Sequence, residues 1–88
     1  MNTIELGTRL TGNRLTKITS IRKEIIEGEQ EYSFYSSYDG CGYRYPRYSL
    51  YDAIKAYEND TRWQGFAEIR YYTIDAEIKE EFDKMPPF

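Results

Sequence analysis

The sequence predicts a small α+β domain with a curved antiparallel sheet of about four strands, one packed helix and a short C-terminal helix. The chain has 88 residues, which is enough for one hydrophobic core. Stretches rich in Ile, Thr and Tyr alternate as strands do, and two later stretches have apolar residues at helical spacing. We expect a single compact domain over residues 1–88, because strands linked by hairpins form an antiparallel sheet on which a helix packs. A small SH3-like partial barrel with added helices is the alternative.

The first half of the chain predicts three strands and two turns. Residues 3–10 alternate weakly between apolar and polar side chains, and residues 11–13 have turn composition. Residues 15–26 are rich in Ile and Thr and predict the second strand. Residues 27–30 predict a hairpin turn because a glycine there can adopt a positive φ, and residues 31–38 then form the partner strand.

The alternation within these strands predicts which side chains face the core. Ile18 and Ile21 lie on opposite faces of the second strand, which requires a bulge or a strand covered on both sides. In the third strand, one face carries the better set of core residues: Tyr32, Phe34, Ser36 and Tyr38.

Residues 39–48 predict a loop followed by an edge strand. Residues 39–42 contain two glycines two positions apart, which weaken any regular element. Residues 43–48 are extended, and Pro46 excludes them from the centre of a sheet because proline has no N–H to donate.

Ser49 predicts the start of the main helix. It is a good N-cap residue, and Asp52 three positions later completes an imperfect capping box. An apolar stripe at helical spacing follows: Leu50, Ala53, Ile54 and Tyr57. The same spacing predicts that Asp52, Lys55 and Glu58 face solvent, and the helix is expected to end at residues 59–60.

The C-terminal part predicts one more strand and a short helix. Residues 65–74 alternate, with a predicted core face of Ala67, Ile69, Tyr71 and Thr73. Asp75 is a suitable N-cap for a terminal helix with the stripe Ile78, Phe82 and Met85, and prolines 86–87 end it.

The composition argues against catalysis, metals and cofactors. The chain has no histidine, the commonest general base and metal ligand near neutral pH. Cys41 is the single cysteine and has no neighbouring base to activate it, so it predicts neither a disulfide nor a nucleophile. We therefore predict a protein that is not an enzyme and has no cofactor and no metal site. A lone thiol and the absence of an apolar run near about 20 residues predict a cytoplasmic protein without a membrane segment.

The net charge of −3 is unevenly distributed along the chain. Residues 1–23 carry five basic side chains against one acidic, whereas residues 24–34 carry four glutamates and no base. A second acidic cluster, predicted as a secondary binding surface on the C-terminal helix, contains Glu77, Glu80, Glu81 and Asp83. Opposite blocks on neighbouring strands can neutralise each other, and unneutralised acidic blocks can dock on a basic partner.

Seven of the ten tyrosines lie between Tyr32 and Tyr51, and this crowding predicts a binding surface. A tyrosine provides a large rigid ring and a hydroxyl, which suits both a core and a contact surface. The candidate binding residues are those in which arginine and tyrosine interleave: Tyr43, Arg44, Tyr45, Arg47 and Tyr48. Arginine beside tyrosine can stack on planar groups and bind phosphates or carboxylates. The structural alternative is an edge strand whose arginines pair with the acidic residues 27–31.

These observations predict a non-enzymatic interaction or inhibitory module that occupies the surface of a partner protein. Its acidic segments 24–31 and 75–83 would suit a basic groove, such as that of a nucleic-acid enzyme. Small acidic inhibitors carried by phages and plasmids are similar in size and charge, although no motif is shared. One alternative is a binder of a nucleotide-like ligand or single-stranded nucleic acid that uses residues 43–48. Another is a structural subunit of a homo-oligomer with the aromatic residues at a symmetric interface.

Overall fold

The computed structural model describes residues 3–10, 15–37, 42–62 and 66–86. These residues form, in chain order, β1 (Ile4–Leu10), β2 (Leu15–Ile26), β3 (Glu29–Tyr35), β4 (Gly42–Pro46), α1 (Leu50–Arg62), β5 (Phe66–Thr73) and α2 (Ala76–Asp83). The predicted α+β class, with a small sheet, one packed helix and one short C-terminal helix, is confirmed. The predicted turn at residues 11–13, Tyr38 and the loop residues 39–41, which include Cys41, lie outside the described residues.

The strands form one sheet in the order β1-β5-β2-β3-β4. Three neighbouring pairs are antiparallel, as predicted, but β2 and β5 are parallel, so the sheet is mixed and has five strands. The parallel pair arises because β3, β4 and α1 form a long crossover that brings the chain back to the other side of β2. β1 and β4 lie at opposite edges of the sheet. Pro46 lies on edge strand β4, as predicted from its missing N–H.

Both helices pack on one face of the sheet. On β2 this face carries Lys17, Thr19 and Ile21, all buried, while Ile18 points to the opposite side and is 56% exposed. The pairing of β2 with β5 is regular between Thr16 and Ile21. The two isoleucines therefore need neither a bulge between them nor a second covered face, because one of them is simply exposed.

The core is aromatic and centres on Phe34. Its ring stacks on Tyr57 of α1 at 4.7 Å between centroids and meets Tyr45 edge to face at 5.4 Å. The predicted core residues of β3 and β5 that can be assessed are buried: Tyr32, Phe34, Ser36, Ile69, Tyr71 and Thr73. The predicted stripe of α1 is buried as well: Leu50, Ala53, Ile54 and Tyr57. Ring packing of this kind adds to the burial energy of each aromatic side chain.

Helix α1 begins as predicted but differs from the prediction at its C-terminal half. The Asp52 backbone N–H donates to the Ser49 hydroxyl at 3.1 Å, which is the expected N-cap bond. The helix continues to Arg62 rather than ending at residues 59–60, and the buried Thr61 hydroxyl donates to the Tyr57 carbonyl at 2.9 Å. The prediction that Glu58 faces solvent is wrong. Glu58 is buried because its carboxylate accepts a hydrogen bond from the Tyr71 hydroxyl.

Helix α2 has the predicted cap and stripe. Asp75 accepts a hydrogen bond from the Glu77 N–H at 2.9 Å, and Ile78 is buried while Phe82 and Met85 pack against the core. Among the described residues, neither helix combines the length and the apolar character needed to cross a membrane.

The turn between β2 and β3 is a two-residue hairpin in a strained backbone conformation. Ile26 pairs with Glu29, so Glu27 and Gly28 form the turn, with φ values of 52° and 81°. Positive φ at both positions is the primed turn that suits the twist of a hairpin. Glycine adopts this conformation freely, whereas glutamate does not.

We predict that Glu27→Asn stabilises the protein, because asparagine tolerates left-handed backbone better than glutamate. The free energy of unfolding should rise by about 0.5–1 kcal/mol, a fraction of the cost of left-handed backbone for an ordinary residue. Urea denaturation measures the change. Glu27→Gln is the matched control, since it removes the charge without easing the backbone and should give no such gain. Equal effects of the two substitutions would contradict the prediction.

Candidate functional site

The sheet divides the predicted binding segment, residues 43–48, between two faces. Tyr43 and Tyr45 point toward the helices: Tyr43 is half-buried and meets Tyr57 edge to face at 5.3 Å, and Tyr45 is buried. The Tyr45 hydroxyl donates to the Asp60 carboxylate at 3.0 Å. These two tyrosines therefore belong to the core and its margin.

The arginines of the same segment point away from the core and pair with glutamates of β3. Arg44 donates through Nε and Nη2 to Glu31 Oε2, at 3.1 and 3.0 Å, and its pKa is raised, mainly by this hydrogen bond. Arg47 lies just beyond β4 at φ 68° and pairs with Glu29 at 2.9 Å. Tyr48 is 42% exposed, with its ring 5.5 Å from that of Tyr45. The arginine pairing follows the edge-strand alternative, and the five predicted residues do not form one continuous surface.

The acidic residues predicted on the C-terminal helix have different environments. Glu81 accepts a hydrogen bond from the Tyr32 hydroxyl at 2.7 Å and so contributes to the core. Glu80 pairs with Lys84, and Asp83 pairs with Lys79. Glu77 is exposed at the start of the helix and makes no ion pair with a described residue. Of the four, Glu77 has the most freely available negative charge.

One end of the molecule combines apolar exposure with an unpaired stretch of strand. β2 pairs with β5 as far as Ile21 opposite Thr73, where the Thr73 hydroxyl donates to the Ile21 carbonyl. Residues 22–26 continue beyond β5 and, of the strands that the structure describes, pair only with β3. A groove of about 410 Å³ lies between residues 22–24 and residues 74–76. We call residues 22–29 together with residues 74–77 the hairpin end.

The hairpin end also brings together the two acidic segments of the sequence. Its exposed apolar side chains are Ile25, Ile26 and Ile74. Glutamates of the β2–β3 hairpin and the N-terminal acids of α2 flank these isoleucines: Glu24, Glu27, Glu29, Asp75 and Glu77. Residues 22–24 and residues 74–76, about 50 positions apart in sequence, thus line one groove.

The face of the sheet opposite the helices, which we call the open face, contains a second cleft. Its volume is about 580 Å³, and it is lined by side chains of three adjacent strands: Ser20, Arg22 and Glu24 of β2, Glu31, Ser33 and Tyr35 of β3, and Gly42 and Arg44 of β4. The strand register places them in rows across the sheet. Glu24 is opposite Glu31, Arg22 and Arg44 lie on either side of Ser33, and Ser20 and Gly42 lie on either side of Tyr35.

The sequence analysis did not predict this cleft, although the alternation of side chains along the strands, on which the cleft partly depends, is visible in the sequence. The alternation within β2 and β3 gives the outward set of each strand. It does not give the register, which determines that Arg22 and Arg44 share a row. Tyr35 lies on the face of β3 opposite Tyr32, and it is 52% exposed.

Lys17 is a further residue that the sequence did not single out. It is 1% exposed, and its Nζ lies 5.3 Å from the ring centroid of Tyr57 and 5.7 Å from that of Tyr43. Aromatic faces stabilise a cation at such distances. Among the described residues, no three acidic or cysteine side chains are close enough together to hold a metal ion.

Comparisons with known proteins assign no family to this fold or to these surfaces. No protein-family model matches the chain, and no significant match is found among curated proteins or solved structures.

The buried tyrosine hydroxyls give a prediction for alkaline pH. Burial and the bond to Glu81 raise the pKa of Tyr32 above its ordinary value of 10.0, and burial and the bond to Asp60 raise that of Tyr45. The folded protein therefore keeps protons that the unfolded chain loses above pH 10. The free energy of unfolding should fall as pH rises above about 10 and should be insensitive to these two groups below it.

Urea denaturation at several pH values between neutral and strongly alkaline measures this dependence. The double variant Tyr32→Phe/Tyr45→Phe has no phenol at either position, so its stability should fall less steeply above pH 10. An unchanged slope in the double variant would show that these hydroxyls are not the source of the alkaline sensitivity.

Proposed function

We propose that the protein is a non-enzymatic binding protein that occupies the surface of a partner protein through its hairpin end. It would act as an interaction or inhibitory module in the cytoplasm. The observation that carries the proposal is the exposure of three isoleucines beside a stretch of β2 that, within the described part of the chain, has no strand on one side.

The apolar side chains of the hairpin end supply the binding energy in this proposal. Ile25 is 71% exposed, and Ile26 and Ile74 are more than two-fifths exposed. Full burial of such a side chain contributes roughly 1.5–3 kcal/mol. Clustered apolar groups with a charged margin are typical of protein contact sites.

The acidic margin defines the chemistry of the partner. Glu24, Asp75 and Glu77 are available at the hairpin end without an ion pair to a described residue. A partner with an apolar patch bordered by lysine or arginine would complement them, and a nucleic-acid enzyme with a basic groove is one such partner. Complementary charge at the margin would raise the association rate more than the affinity.

The free edge of β2 offers backbone groups to the same partner. Residues 22–24 have β3 on one side and the groove on the other. An extended segment of the partner could pair with this edge, which is a common mode of peptide recognition. The charged side chains of Arg22, Lys23 and Glu24 would limit indiscriminate pairing there.

We do not extend the nucleotide-binding alternative to residues 43–48. Tyr43 and Tyr45 contribute to the core, and Arg47 is paired with Glu29, so these residues do not act together as one ligand site. The homo-oligomer alternative uses the same apolar side chains with a second copy of the chain as the partner. Sedimentation of the purified protein distinguishes the two, because a dimer that dissociates in an Ile25→Ser/Ile74→Ser variant would favour the oligomer.

The proposal predicts that a partner isolated from cell extract binds through Ile25 and Ile74. The double variant Ile25→Ser/Ile74→Ser should weaken the purified complex by about tenfold or more, since it removes most of two apolar contacts. Titration calorimetry with the purified partner measures the affinity.

Ile18→Ser is the matched control for this experiment. Ile18 is comparably exposed but lies on the open face, away from the hairpin end. It should leave the affinity nearly unchanged, and circular dichroism should show that all variants are folded. An equal loss with Ile18→Ser, or none with the double variant, would rule out the hairpin end as the contact surface.

A further inference from the structure

We propose that the cleft on the open face binds a nucleotide unit, with its phosphate between Arg22 and Arg44 and its base stacked on Tyr35. This site differs from the hairpin end in location and ligand, although Arg22 lies at the boundary of both. The nucleotide can be free or part of a single strand, since both present the same phosphate and base.

The shape of the cleft follows from the sizes of neighbouring side chains. Its centre is formed by Ser20, Ser33 and Gly42, which are small. The larger side chains of Arg22, Arg44 and Tyr35 are their neighbours on the same face of the three strands. The result is a concavity of about 580 Å³, large enough for a small ligand.

Arg22 and Arg44 lie on either side of Ser33 in one row of the sheet, and both line the cleft. Neighbouring strands are about 4.8 Å apart, so the Cα atoms of Arg22 and Arg44 are about 10 Å apart. Both side chains are long enough to reach a single anion between them. The Arg22 guanidinium makes no ion pair or side-chain hydrogen bond with a described residue. Arg44 uses only Nε and Nη2 for Glu31, and a guanidinium has five donor hydrogens.

The carboxylates of the cleft lie on the far side of the arginine row from Tyr35. Glu31 is nearly covered, and it already accepts both hydrogen bonds from Arg44. Glu24 is exposed and lies opposite Glu31, two positions along β2 from Arg22. An anion above Ser33 therefore lies nearer to the two arginines than to the carboxylates. The negative charge of Glu24 lowers the affinity, but its side chain does not fill the position of the anion.

The Tyr35 ring is placed to stack with a base. It is 52% exposed, and its neighbours across the sheet, Ser20 and Gly42, leave space on both sides. Tyr35 lies about 7 Å along β3 from Ser33. This span leaves room for a sugar between the phosphate and the base, which is why a nucleotide fits better than a ring joined directly to phosphate. Tyr72 follows Ser20 in the same row and offers a second ring to the next base of a single strand.

The test is a titration of the isotope-labelled protein, followed by NMR, with four probes: adenosine monophosphate, inorganic phosphate, phenyl phosphate and single-stranded oligothymidylate. Adenosine monophosphate should bind. Arg22→Gln should weaken it by about tenfold or more, as expected for a charged hydrogen-bonding partner. Tyr35→Ala should weaken it by about fivefold or more through the loss of stacking.

Two further variants test whether binding takes place in the cleft itself. Gly42→Val keeps all three binding side chains but fills the cleft. A Cβ at position 42 would lie 3.8 Å from the nearest atom, the Phe34 carbonyl oxygen, so the variant should fold and lose binding. Arg70→Gln is the matched control, because Arg70 lies on the open face in a different row and pairs with Glu68. It should change the affinity by less than about twofold.

Each outcome supports or overturns the site. Absence of binding to both adenosine monophosphate and oligothymidylate by the folded protein at millimolar concentration would overturn it. The site would also be overturned if inorganic phosphate bound as tightly as adenosine monophosphate, or if phenyl phosphate bound more tightly. The same holds if Arg70→Gln weakened binding of adenosine monophosphate as much as Arg22→Gln does. Tighter binding of oligothymidylate, with a logarithmic salt slope of about −0.7 for the one phosphate held between the arginines, would identify a single strand as the source. Comparable or tighter binding of adenosine monophosphate would identify the free nucleotide as the ligand.

Ile25→Ser/Ile74→Ser should leave nucleotide binding intact, so failure of either proposal is distinguishable from failure of the other.

Discussion

The fold depends on satisfying the hydroxyl groups of buried tyrosines. Three of these phenols donate from the sheet to helix carboxylates: Tyr32 to Glu81, Tyr45 to Asp60 and Tyr71 to Glu58. A fourth, Tyr57 of α1, shares a hydrogen bond of 2.7 Å with Thr19 of β2. A buried hydroxyl without a partner would cost a large part of the stability of so small a domain. These bonds therefore fix the two layers relative to each other while the rings fill the space between them.

In this arrangement some of the acidic side chains serve the structure, because they accept hydrogen bonds from buried groups. Glu58 and Glu81 would count as surface acids in the sequence, yet each serves a buried tyrosine. Glu31 likewise lies under Arg44, which donates two hydrogen bonds to its Oε2. The net charge of −3 thus says little about the charge available to a partner. The acidic side chains that make no ion pair with a described residue include Glu24, Asp75 and Glu77 at the hairpin end, and Arg22 at the cleft likewise has no such partner in the described part of the chain.

Both proposed surfaces arise from mismatches between neighbouring elements. β2 has twelve residues and β5 has eight, so the end of β2 extends past its parallel neighbour, and one side of residues 22–26 has no strand partner among the described residues. The helices cover one face of the sheet, so the other face keeps its aromatic and charged side chains in water. Where serine and glycine alternate with arginine and tyrosine across that face, the difference in side-chain size creates the cleft.

The sequence by itself determined the elements, because caps, glycines and alternation act over a few residues. The Ser49 and Asp75 caps, the turn at Gly28 and the inward set Tyr32, Phe34 and Ser36 were all readable in this way. Only the tertiary structure decided which strands are neighbours, and therefore that β2 and β5 are parallel. It also decided that Glu58 turns inward and that Arg22 and Arg44 share a row. The reason is that strand order and register depend on contacts between residues far apart in the chain, and no local pattern encodes them.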